Sequence, residues 1–305
     1  MSMSLSGVVA PEKPNPRKMG VFRHSRSARM RTSPGRKVAN LLVWLLVAFN
    51  LAIFAWMFVN SVRTHSEIFA NPWSLPAALH LENYANAWVT SGFGNAILNS
   101  VIVCATSAVA IIALSAPAAY ILAKTNTRMS ETMLLYIAVG IGVPVQVIVI
   151  PLFVVVENLN LLNSLQGLIV VYVGLNLPFT IFLLAGFFRS IPDELEEAAS
   201  LDGAGTFAAF FRIVLPLARS GMVTALILNL VWLWAETFIA LVLIQSTDHE
   251  TLPLALLNFM AKQQYAGADY GQLMAGVCII LLPVLAAYIW LGRRIIEGMT
   301  VGANK

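Results

Sequence analysis

Apolar residues along this chain gather into six long blocks, Val38–Asn60, Ala96–Ala123, Thr132–Val156, Ser164–Phe188, Gly221–Ile244 and Gln272–Gly292, with polar links between them. About 20 helical residues cross a hydrocarbon core roughly 30 Å thick, and each block reaches that length. None shows the period-two alternation of a barrel strand, so each predicts a helix that satisfies its own backbone within lipid. The pattern predicts an all-α integral membrane protein with six transmembrane helices.

Three links are long. Ser61–Asn95 carries Trp73, Tyr84 and Trp88 with Pro72 and Pro76, aromatic residues of the kind found at a membrane surface. Gln245–Gly271 reads as a polar, Gly-punctuated loop. Arg189–Ser220 is too long for a minimal connection between neighbouring helices, and it predicts two short helices with a hinge. Pro192 suits a first helical position, Asp193 and Glu194 complement the helix dipole, and Asp202-Gly203 supplies the stop, so the first helix is predicted over Pro192–Leu201. Leu195, Ala198, Ala199 and Asp202 share one face, with Glu194 and Glu197 on the next. In the second helix Phe207, Phe210, Phe211 and Val214 form one apolar stripe, and Pro216 ends it. Such a stripe must bury against the chain's own helix ends or against a partner.

Composition agrees with a membrane protein: 58% hydrophobic and 11% charged residues, against about 25% charged in soluble proteins, and a mean hydropathy of +0.77. Lys and Arg accumulate in cytoplasmic links. With the N-terminus inside, all but two of the 19 Lys and Arg, Arg63 and Lys262, fall on inner segments, so both termini are predicted cytoplasmic and the protein multi-pass. The +4 net charge is thus a topology signal and argues for no nucleic acid. Residues 1–37, rich in Pro, Ser and Arg, read as a disordered basic cytoplasmic tail. It is a topogenic tether or a docking segment for anionic membrane lipid. Residues 38–305 form the membrane domain. The first block follows this tail without a small-residue cleavage pattern and reads as an uncleaved anchor. Cys104 and Cys278 lie inside apolar blocks and suggest neither a disulfide nor a metal site.

No Gly-x-x-x-x-Gly-Lys-Ser/Thr phosphate loop occurs anywhere, so the chain cannot cradle ATP by that route. The five carboxylates Asp193, Glu194, Glu196, Glu197 and Asp202 have no His or Cys beside them and suggest a contact surface; no catalytic residue is expected. Glu236 is the only charged residue well inside a block. Such residues face the bundle interior and mark a pathway or a hydrogen bond between helices. Gln146, Asn176 and Asn229 are further polar candidates for a translocation pathway or for helix bridges. Pro117, Pro144, Pro151, Pro178 and Pro283 imply bends.

In Glu197-Ala198-Ala199, Asp202-Gly203 and the later Ile213-Val214-Leu215-Pro216, the chain resembles the membrane-spanning permease subunits of ATP-binding-cassette (ABC) importers. Phe93 to Ser100, Pro151-Leu-Phe, Asn176-Leu-Pro-Phe179, Leu252-Pro253 and the ending Gly298-Met-Thr-Val-Gly-Ala303 narrow this to carbohydrate-uptake importers of the six-helix, maltose-transporter type. The resemblance implies that the cytoplasmic loop 189–220 holds a coupling helix, with Glu197, Ala198, Ala199, Asp202 and Gly203 docking on an ATPase and Ile213, Leu215 and Pro216 closing the motif. It implies a subunit of a prokaryotic cytoplasmic (inner) membrane importer. The implied partners are a homologous second permease, two ATP-binding-cassette ATPases and an extracytoplasmic sugar-binding protein. ATP and Mg are used by the ATPases, and no cofactor or metal is held by this chain. The sequence departs from the family pattern at Trp234-Ala-Glu-Thr-Phe238, where many relatives carry Asn before the Glu, and its tail ends Ala303-Asn-Lys305 without the Lys-Gly pair that commonly follows.

Two other classes stand beside this reading. An importer for a peptide or an anion keeps the same loop, although the predicted spans hold no Lys or Arg for an anion. A stand-alone secondary transporter calls for internal repeats and midplane carboxylates, and here only Glu236 qualifies. A membrane-embedded enzyme is disfavoured because His24, His65, His80 and His249 all lie outside the blocks.

Overall fold

The computed structural model describes residues 34–267 and 269–301, and all regular structure among them is helical. Most of the basic tail (1–33) and the end of the C-terminal motif (302–305) lie outside the described residues. The side chains of 287–301, including Arg293 and Arg294, lie outside them as well.

Helix α1 (Pro34–Ser61) carries the first apolar block unbroken. Up to Ala52 it belongs to a unit separate from Ile53 onward. Leu42, Val43, Trp44 and Leu46 in that first unit are exposed, as lipid-facing side chains are.

In the second unit, Arg63 at the end of α1 is only 1% exposed. It donates to Asn60 Oδ1 (2.9 Å), to the carbonyls of Glu67 (2.7 Å) and Asn71 (2.8 Å), and to Ser74 Oγ (2.9 Å). Carbonyl oxygens from the short helix α2 (His65–Ala70) and its end thus solvate the guanidinium. This explains why Arg63 departs from the charge rule: its cation is structural. Helix α3 (Glu82–Ser91) ends at Gly92 and leads into α4 (Phe93–Lys124).

Helix α4 buries one face built mainly of small residues, Ala96, Ser100, Cys104, Ser107, Ala108, Ser115, Ala116 and Ala119, at helical spacing. Small side chains let backbones approach, and in lipid such close packing holds helices together where water exclusion does not. That face lies along α7 (Leu165–Arg189).

The third block was expected to be one span. It is two helices, α5 (Arg128–Ile141) and α6 (Val145–Asn158), bent by 97°. The cause is local: Gly140 and Gly142 weaken the helix, Val143 is excluded from helical geometry by the proline after it, and Pro144 has no N–H to give. Pro117, Pro151, Pro178 and Pro283 lie inside helices that continue through them.

After α7 come α8 (Glu194–Leu201), α9 (Thr206–Ala209), a π turn over Phe210–Val214, α10 (Leu215–Leu217) and α11 (Arg219–Ala235). The chain bends by 72° between α10 and α11. A Cβ on Gly221 would fall 2.4 Å from Phe187 Cγ, so glycine there permits the close crossing of α11 over α7. The fifth block was also expected as one span, and it too is interrupted, with Glu236 extended between α11 and α12 (Phe238–Leu243). The 245–271 link, read as a loop, contains a 15-residue helix, α13 (Leu252–Ala266), started by Pro253 in its first turn. Its Leu252, Leu254, Ala255 and Phe259 are buried, with Phe259 edge-on to Phe93. Helix α14 (Tyr270–Val301) carries the sixth block.

Among the described residues, three helical stretches, Lys37–Ser61, Phe93–Lys124 and Leu165–Arg189, are each long and apolar enough to cross a membrane, or up to five if each of the two bent pairs is counted as one span.

Candidate functional site

The predicted docking helix forms as α8, two residues shorter at its start than expected. Its stop follows the sequence reading. Gly203 adopts φ +83°, its N–H bonds the Ser200 carbonyl (3.0 Å), and the Ala204 N–H bonds that of Ala199 (2.9 Å). This paired closure needs a left-handed residue after the helix, which glycine adopts without a Cβ clash. Glu194, Glu197, Ala198 and Asp202 are exposed, while Ala199 turns inward at 6% exposure. Of the closing residues, Ile213 and Leu215 are half-buried and Pro216 is exposed. Pro216 does not end the second helix; the chain stays helical through Leu217.

The expected apolar stripe is split. Phe210 and Val214 are buried with Tyr120, Leu184 and Phe188, whereas Phe207 and Phe211 are exposed at 83% and 60%. The π turn places an extra residue in one helical turn, so the heptad-like spacing fails there. Leu201, before the hinge, is exposed as well. Exposed apolar side chains close in sequence to an acidic helix make this loop a candidate surface for a partner.

Sequence reasoning missed the anchor of this loop. Lys124 Nζ, at the end of α4, lies 2.6 Å from Asp193 Oδ1 and 3.2 Å from Glu196 Oε1 and donates to the Ile191 carbonyl (2.7 Å). Tyr120, one turn earlier, donates its hydroxyl to Glu196 Oε2 (2.6 Å). A lone lysine closing an apolar block is the only sequence trace of this contact.

Glu236 sits in the break of the fifth block. Its carboxylate accepts the N–H groups of Ile239 (2.8 Å) and Ala240 (3.3 Å), capping α12, and the hydroxyl of Tyr172 on α7. Of the two roles the sequence allows for Glu236, a pathway residue or a hydrogen bond between helices, its bond to Tyr172 is of the second kind. Asn229, 1% exposed, spends its amide on Thr180 Oγ1 (2.9 Å) and the Ala225 carbonyl (2.8 Å), bridging α11 and α7. Asn176 donates to the Tyr172 carbonyl (2.8 Å).

Asn176 and Asn229 also line a cavity of about 680 Å³ at the α5–α6 bend, together with Gly140, Val143, Pro178 and Trp232. Trp232 stands edge-on to Tyr172, 5.7 Å between ring centres. The structure therefore brings two of the four pathway candidates to one cavity. Neither Glu236, bonded to Tyr172, nor Gln146, exposed on α6, lines it. Among the described residues no His, Cys, Asp and Glu group could hold a metal.

The model of a protein family described as the inner membrane component of binding-protein-dependent transport systems matches residues 112–299. The chain belongs to this family. It is 36% identical over 278 residues to the diacetylchitobiose uptake system permease protein NgcG of Streptomyces coelicolor, covering 90% of this chain and 92% of the relative. The permease protein DasC of the same organism, also of a diacetylchitobiose uptake system, is 30% identical, with 82% and 90% covered. A chain of a bacterial ABC transporter for the polysaccharide alginate superposes with a TM-score of 0.71 at 21% identity, over 86% of this chain and 98% of that one. This likeness shows a shared fold. Membership of this inner membrane family accounts for the apolar helices.

Proposed function

We propose that this chain is the six-span permease subunit of an ABC importer that moves a sugar or oligosaccharide across the cytoplasmic membrane, with α8 as its docking element for a separate ATPase. The sugar assignment follows the two relatives named for diacetylchitobiose uptake. The observation that carries the docking role is the split surface of the loop. Glu194, Glu197 and Ala198 face outward from α8, which is itself fastened to α4, and Phe207 and Phe211 are exposed on the helical stretch that follows it.

On this reading α14 is the sixth span, both termini are cytoplasmic, and loop 189–220 lies on the cytoplasmic side. ATP and Mg belong to two partner ATPases, and this chain is non-catalytic. A second permease and an extracytoplasmic sugar-binding protein complete the importer, and the cavity at the α5–α6 bend is this chain's contribution to the pathway. Nucleotide-driven closure of the ATPases moves α8, and the helices change between two arrangements.

Purification of the tagged chain with its neighbours from mild detergent tests this. Recovery of an ATPase and a second permease, with hydrolysis stimulated by a sugar-loaded binding protein, supports it. A chain that purifies alone in several detergents contradicts it.

A further inference from the structure

Resting on the reading that α8 meets an ATPase, we propose that Lys124, Glu196 and Tyr120 form a latch that passes the movement of α8 into α4, and that these three are positioning residues for transport coupling.

The loop's carboxylates divide into two sets. Glu194, Glu197 and Asp202 are exposed, free for a partner. Asp193 and Glu196 turn to Lys124. The Lys124 and Glu196 side chains are only 11% and 19% exposed, so their pair is screened less by salt than a surface pair. Lys124 holds three groups at once, the carbonyl of Ile191 just ahead of α8 and the two carboxylates at its start. Tyr120, one helical turn back, holds the other oxygen of Glu196. That hydrogen bond fixes one oxygen of Glu196, and Lys124 stands 3.2 Å from the other as an ion-pair partner without a hydrogen bond to it. Apolar packing alone would let α8 slide, whereas charge-assisted hydrogen bonds fix distance and direction.

Helix α4 is one unbroken helix, with Pro117 inside it, and measures about 48 Å at 1.5 Å per residue. Near its other end Asn99 donates to the carbonyls of Asp248 (2.8 Å) and Glu250 (3.0 Å), and Ser100 Oγ accepts the Leu252 N–H (2.8 Å). One helix thus grips α8 at one end and the link ahead of α13 at the other. A displacement of α8 reaches the far side of the bundle through α4, with Lys124 and Tyr120 at the point of transfer.

The test uses the whole importer in liposomes, with sugar uptake and ATP hydrolysis measured together and the co-purified ATPase as the control for docking. In Lys124→Met and Glu196→Gln the ATPase still co-purifies, while ATP consumed per sugar rises by about five-fold or more; Lys124→Arg restores the ratio. Should Lys124→Met fail to assemble, Tyr120→Phe, which removes one hydroxyl, decides by the same ratio. Assembled variants with a wild-type ratio overturn the latch. Absence of an ATPase even from the wild-type preparation overturns the docking reading on which the latch rests.

Discussion

The hydroxyl of Tyr172 on α7 is donated to the carboxylate of Glu236, which at the same time caps α12 through the N–H groups of Ile239 and Ala240. One side chain therefore closes a break in the fifth apolar block and ties it to a neighbouring helix. Backbone freed within a membrane must find such partners, because lipid supplies none.

If Glu236 acts by these bonds, Glu236→Ala costs stability, about 1–3 kcal/mol for the unpaired groups left behind. Thermal unfolding of the purified importer reports the loss. Glu236→Gln keeps an acceptor for the cap and retains uptake across neutral pH; abolished uptake with unchanged stability would instead give the charge a transport role.

Phe207 and Phe210 sit on one short helical stretch and are expected to respond oppositely. Phe210→Ala empties a buried site beside Tyr120 and Phe188 and destabilises the chain by about 3–5 kcal/mol. Phe207→Ser leaves melting unchanged yet weakens ATPase co-purification.

At Gly203 a side chain has space but the backbone conformation does not suit it. Gly203→Ala costs about 1–2 kcal/mol locally and loosens the end of α8. Asn, which adopts left-handed geometry more readily, is tolerated better. Comparing ATPase retention in the two variants checks the order.

Gly221→Ala places its Cβ against the Phe187 ring and pushes α11 from α7. The variant lowers the melting temperature, and Phe187→Ala in the same chain recovers part of the loss. Additive losses in the double variant would show that the two residues do not meet.

The helical class, the apolar blocks and the stop of α8 were legible because each rests on local chemistry: block length, helical spacing, and a glycine after a run of helix formers. Pro144 was legible as a bend in the third block, but the 97° size of that bend and the break at Glu236 in the fifth were not. Hydropathy averages over a window and registers the apolar character of residues 132–156 without their backbone geometry. Glu236 was singled out for its charge, but its part as a cap depends on Tyr172, far away in sequence. Helix α13 escaped because a reading keyed to membrane length passes over a 15-residue helix. The split of Phe207 and Phe211 from Phe210 and Val214 depends on a π turn that has no periodic signature. Lys124 and Glu196 meet across the fold, and neither has a local pattern announcing the other.

The central claim is that the outward face of α8 is where this permease meets its ATPase. A photo-cross-linking side chain placed at Ala198, which is exposed, and in a second variant at Ala199, which is buried, tests it within the assembled importer. The account predicts cross-links from position 198 to the ATPase and from position 199 only within the permease. An ATPase that co-purifies but never cross-links from position 198 would contradict it.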